Sequence, residues 1–214
     1  MICIFGENPE KAWKKAFLEL YRNGKEVKFN GFYKNESAAI EIADITGSYY
    51  CTYFPLEKSA LDDIRTYIIS GANEHKIEHE WTILYRQRLF AEGNHIEQII
   101  NTLKEWPDCP RAQICLWKNG TDLRRSEKAP CLQLLWFKNI GGNLDLHVHM
   151  RTTDCYGKLL LNFNEFIAIQ IYVANRLSLG LGLYRHFIDS LHFHEYDAEK
   201  VDETMNKLLS ETRK

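Results

Sequence analysis

Residues 162–177, NFNEFIAIQIYVANRL, present apolar side chains nearly all round a helical wheel. A helix of this length with almost no polar face must be enclosed on most sides. The rest of the chain therefore has to supply layers around it. Helical and strand-like segments in mixed order lie on both sides of it. They predict an α/β (or α+β) fold: a mixed β-sheet with helices packed on it and this helix buried at the centre. A length of 214 residues, 45% of them hydrophobic, is enough for one domain spanning 1–214.

The enclosing elements are readable from punctuation and period. Asn8, Pro9 and Glu10 form an N-cap, a first-turn proline and a first-turn acid. Trp13, Ala16, Phe17 and Leu20 follow at helical spacing, and Gly24 stops the run. A strand is predicted near 38–46, a helix from a Ser59 cap to Gly71, and another over 95–105 before Pro107. RAQICLW, CLQLLWF and NLDLHVHMR read as three adjacent strands separated by the turn-rich KNGTDLRRSEKAP and KNIGGN. A strand through LYRHFIDSLHFH and a charged helix from about Asp197 complete the chain.

Lys and Arg number 27 against 29 acids, so no nucleic-acid surface is expected, and any phosphate should be held locally. MICIFGENPE is too short of apolar residues for a signal segment. No window approaches the roughly 20 apolar residues of a membrane span, which predicts a cytoplasmic protein with no membrane partner. The six cysteines form no C-x-x-C pair and read as thiols.

In NLDLHVHMRTTD, Leu144, Leu146, Val148 and Met150 alternate with Asp145, His147, His149 and Arg151. The alternation puts the four polar groups on one face of a strand. That face fits ordinary solvation, a metal site drawing a further ligand from elsewhere, or an anion site centred on Arg151. Cys131 begins a strand directly after Pro130. Its thiol needs a nearby cation or hydrogen-bond donor to be ionised at neutral pH. Arg111 and Arg151 adjoin the flanking strands, and each can present a planar fork to a phosphate.

KAPCLQLLWF, the R-x-x-D of RTTD and the asparagine eleven positions after Arg151 resemble the thymidylate synthase family, especially its short archaeal-type branch. EKAWKKAFLELYRNGKEV resembles the family's opening helix, LYRQRL its Tyr-Gly segment, PDCPRAQICLW its Arg-Arg strand and SLHFHEYD its late sugar-contacting strand. The resemblance implies that Cys131 is the nucleophile for C6 of a pyrimidine nucleotide. It implies that Arg151 binds the 5′-phosphate, joined by Arg111 from the partner subunit of a homodimer. Asp154 would orient the pterin or support proton transfers, His192 would contact the sugar, and His194 would stand where the family has a sugar-contacting tyrosine. Asn162 would read the base. Its amide offers an acceptor and a donor, matching N3–H and O4 of uracil, whereas a carboxylate suits cytosine. Locally, Asn162 also reads as a helix N-cap.

The implied activity is conversion of dUMP to dTMP with methylene-tetrahydrofolate or a methylene-tetrahydromethanopterin-type reduced pterin. Hydroxymethylation of dUMP or (d)CMP is the rival of the same mechanism. Several positions depart from the family pattern: Pro110 replaces one arginine, Arg86 follows Tyr85, His194 replaces tyrosine, and LLSETRK is not an apolar tail. For the family's proton-shuttling glutamate, Glu78 and Glu80 are the candidates. Pro110 and His194 also motivate a catalytically silent nucleotide-binding paralogue, and His147, His149, His192 and His194 a metalloprotein.

Overall fold

A computed structural model describes residues 1–29, 31–47, 49–124 and 128–211. Part of the KNGTDLRRSEKAP separator and the end of LLSETRK lie outside them. The fold is mixed α/β, an eight-stranded sheet with six α-helices among the described residues.

The strands are β1 (Ile2–Gly6), β2 (Lys25–Phe29), β3 (Phe32–Ile42), β4 (Gln113–Cys115), β5 (Leu132–Ile140), β6 (Asn143–Met150), β7 (Thr153–Asp154) and β8 (Gly180–His194). The helices are α1 (Pro9–Asn23), α2 (Lys58–Ser70), α3 (Glu80–Arg86), α4 (His95–Glu105), α5 (Leu159–Leu177) and α6 (Ala198–Glu211). The sheet runs β1-β3-β8-β6-β5-β4, with β2 against β3 and β7 against β8. The β1/β3, β6/β8 and β7/β8 pairs are parallel, the others antiparallel.

The apolar helix is α5, and it is the crossover between the parallel strands β6 and β8. Leu159 through Gln170 are all buried. The side chain of Gln170 stitches the helix to the sheet by donating to the Leu144 carbonyl at 2.7 Å. Across the sheet, β5 and β6 form a hairpin whose two connecting residues, Gly141 and Gly142, have φ of 59° and 85°. A two-residue turn between right-twisted strands needs positive φ at both positions, which glycine adopts without strain.

The first helix is capped as the sequence predicts: Asn8 accepts from the Lys11 N–H at 2.9 Å, and Pro9 occupies the first turn. Other boundaries move. Asn162 is not the cap of α5; that helix starts three residues earlier, because Leu159–Leu161 are buried with it and extend the apolar run. Ser59 likewise lies inside α2, whose cap position is Glu57. The strand expected near 38–46 is β3, displaced toward the N-terminus because it pairs with β2 and β8. RAQICLW contracts to the three residues of β4 at the sheet edge, where β5 supplies the one neighbour. β1 and α3 were not foreseen. Both are too short for a period to stand out.

Candidate active site

A cleft of about 280 Å³ lies between β5, β6, β7, β8, α3 and the first turns of α5. It brings together Cys131, Asp154, Asn162, His192 and His194, five of the seven positions singled out in the sequence. Phe32, Trp81, Thr82, Tyr85, Lys158, Glu165 and Tyr196 also line it.

Cys131 immediately precedes β5 and is partly buried. Burial pushes its thiol up, while the Arg151 guanidinium and a hydrogen bond with Tyr85 pull the other way. The cation expected nearby is present but does not win against desolvation, so the resting thiol is protonated. Arg151 is held beside it by two backbone carbonyls: Nε donates to Pro130 at 3.2 Å and Nη2 to Ala129 at 3.4 Å. Its own N–H donates to the Cys131 carbonyl at 3.0 Å. Arg111 is not brought to the thiol within the chain. In the β4/β5 register Gln113 faces Trp136 and Cys115 faces Leu134, so Arg111 lies at the far end of β5, roughly 20 Å away at 3.3 Å per residue.

Asp154 is buried where β7 ends, accepting from the N–H groups of Tyr156 at 3.0 Å and Gly157 at 2.9 Å. Burial pushes its carboxyl up to about 6 despite those two donors. A Cβ on residue 157 would stand 2.7 Å from the Asp154 Oδ2, so glycine permits the close approach. His192 stacks on Phe32 with ring centroids 3.7 Å apart, and its Nδ1 lies 3.1 Å from the Ser190 carbonyl and from Thr152 Oγ1. Its Nε2 is 3.3 Å from the His194 Nε2. Burial pushes His192 down to about 4 and also lowers His194. Both rings are therefore neutral, and one donates to the other. His194 stacks on Tyr196 at 4.6 Å.

The residue the sequence reading missed is Glu165. It is fully buried in α5, three positions after Asn162. Thr82 donates to its Oε1 at 2.5 Å and Asn162 Nδ2 to its Oε2 at 2.9 Å. Burial pushes its carboxyl up to about 7. A lone acid among apolar residues at i, i+3 from a candidate ligand was the available signal. Glu78 and Glu80, the shuttle candidates, are exposed, and Glu80 pairs with Lys128 at 2.6 Å. Lys158 was also missed: partly buried at the N-cap position of α5, it bonds His79 Nδ1 at 2.8 Å, and burial lowers both groups. Arg86 has a structural reason: it donates to the Ile68 and Ile69 carbonyls at 3.0 and 2.9 Å, closing the end of α2.

The polar comb on β6 divides. Asp145 accepts from the Leu183 N–H at 2.9 Å and from Arg185 at 3.2 Å, His147 faces Arg185 at 3.1 Å, and His149 pairs with Asp189 at 3.0 Å. His192 and His194 are in the cleft instead. Among the described residues no three His, Cys, Asp or Glu side chains converge as metal ligands, and no helix is long and apolar enough to cross a membrane.

The fold is α/β, and its cleft carries the Cys131 thiol. The thymidylate synthase family model matches residues 69–213. A provisional thymidylate synthase of Methanocaldococcus jannaschii is 25% identical over 207 residues, 91% of each chain. A second from Methanosarcina acetivorans is 29% identical over 145 residues, 66% of this chain and 64% of that one. A deoxyuridylate hydroxymethyltransferase of Pseudomonas phage M6 is 30% identical over 151 residues, 69% of this chain and 40% of that one. The chain belongs to the thymidylate synthase family. Membership implies one-carbon transfer to C5 of a pyrimidine with a folate-type donor.

Proposed function

We propose that the chain is a thymidylate synthase, converting dUMP to dTMP. The observation that carries this reading is that Cys131 shares one cleft with Asn162, whose Oδ1 is buried and has no hydrogen-bond partner. An unpartnered buried acceptor costs free energy that a ligand N–H would recover, and the N3–H of uracil is such a donor.

In this reading Cys131 Sγ loses its proton and bonds to C6 of the base, leaving C5 nucleophilic. The substrate phosphate draws Arg151, a guanidinium suited to a bidentate contact. Arg111 reaches the phosphate of the partner's site in a homodimer formed through the sheet face that carries Asp145, His147, His149 and Arg185. The neutral His192 and His194 meet the sugar.

The residues present fit a reduced pterin. Trp81, Phe32 and Tyr196 give flat apolar walls, and buried Asp154 offers acceptor oxygens to ring N–H groups. When bound, that group supplies the one-carbon unit and, for a methyl product, the hydride. Asp154, pushed up to about 6, is poised to exchange a proton near neutral pH.

Incubation with dUMP, dCMP or CMP and methylene-tetrahydrofolate or the methanopterin analogue, read by mass spectrometry, tests this. The expected product is dTMP. A hydroxymethyl product, or turnover of cytosine nucleotides alone, overturns the reading. Absence of a covalent adduct on Cys131 with 5-fluoro-dUMP and the pterin would instead support a silent nucleotide-binding protein.

A further inference from the structure

We propose that Glu165 is a positioning residue that selects uracil over cytosine by fixing the orientation of the Asn162 amide. This rests on the cleft being a pyrimidine-nucleotide site.

The geometry carries the argument. One N–H of Asn162 is committed to Glu165 Oε2 at 2.9 Å, while Thr82 holds the other carboxylate oxygen at 2.5 Å. The amide nitrogen carries two hydrogens, so one remains beside the unpartnered Oδ1. That pair, an acceptor next to a donor, is complementary to N3–H and O4 of uracil. Turning the amide over would set Oδ1 against an ionised carboxylate, oxygen against oxygen. Ionised Glu165 therefore forbids the orientation that offers the NH₂ edge to N3 of cytosine. A protonated Glu165 would instead donate to Oδ1 and allow it.

Among the described residues three titratable groups face Glu165: Lys158 at the N-cap of its helix, Tyr85 on α3 and Tyr184 on β8. Lys158 favours ionisation, but burial dominates and pushes the carboxyl up to about 7. The selecting state is thus the one populated above neutrality. Neither Glu165 oxygen has to touch the base for this; Asn162 is the reader and Glu165 its anchor.

Calorimetric binding of dUMP and dCMP to the full chain at pH 5.5 and 8.5 tests the inference, with wild type and Glu165→Gln compared. Wild type is expected to prefer dUMP, with the preference shrinking about tenfold at the lower pH; tenfold corresponds to about 1.4 kcal/mol. Glu165→Gln can donate to or accept from the amide, so its preference should be smaller and independent of pH. In turnover, its KM for dUMP should rise more than its kcat falls. A Glu165→Gln protein keeping the wild-type ratio at both pH values overturns the inference. If that variant does not fold, a pH-independent ratio in wild type does so alone. If wild type binds neither nucleotide, the functional reading falls first and this inference with it.

Discussion

Asp122 and Glu165 are both carboxylates closed off from water, yet they titrate in opposite directions. Asp122 is gripped by Arg88 through two charged hydrogen bonds, at 2.6 and 2.7 Å, and accepts the Lys118 N–H at 2.7 Å. The guanidinium holds it below the usual carboxylate range. Glu165 has only neutral donors in contact, and burial carries it up to about 7. Burial alone does not mark a functional acid; what matters is whether a cation has been buried beside it. Asp122 anchors the loop between β4 and β5, whereas Glu165 is left close to its proton inside the cleft.

That contrast can be broken experimentally. The largest effect belongs to the cleft: Cys131→Ser should lower turnover by roughly a thousand-fold or more and abolish the adduct seen by mass spectrometry, with unchanged folding. Next, Asp122→Asn leaves Arg88 buried without its partner and should cost about 3 kcal/mol in denaturant unfolding at pH 7. Because the folded value of Asp122 is depressed, its contribution is present above the ordinary aspartate range near 4. It disappears as pH falls through the folded value, so wild type and variant converge in acid.

Glu165 should behave the other way. Its folded value lies above the unfolded one, so between about 4.3 and 7 the native state holds the extra proton. Stability of wild type relative to Glu165→Gln should fall with rising pH across that window, by at most about 1.4 kcal/mol per pH unit. A flat difference would mean that the buried acid is not raised. The smallest effect is expected at the surface, where Arg176 meets Glu97 at 2.7 Å. Arg176→Ala should leave both the unfolding midpoint and nucleotide binding unchanged, since exposed pairs are screened and cost ordering entropy.

The parts legible from the chain are those governed by local chemistry. The Asn8 cap, the stop at Gly71, the glycine hairpin between β5 and β6 and the enclosed α5 follow from backbone preference and period, which neighbours in sequence supply. The motif pieces around Cys131, Arg151, Asp154 and Asn162 were also visible, as were the two histidines. Hidden were β1 and α3, each too short to show a period, and the start of α5, where buried leucines outvoted an asparagine cap.

Sequence by itself determined a mixed sheet around one apolar helix, with a thiol, two carboxamide or carboxyl groups and two imidazoles among its candidate side chains. Only the tertiary structure decided which of them meet. It separated Arg111 from Cys131 and sent His147 and His149 to the sheet face. It also closed water away from Glu165 while Thr82, 83 positions earlier in the chain, came to hold it. Charge state depends on desolvation and on partners distant in sequence, so no local pattern could have revealed an acid poised near neutrality.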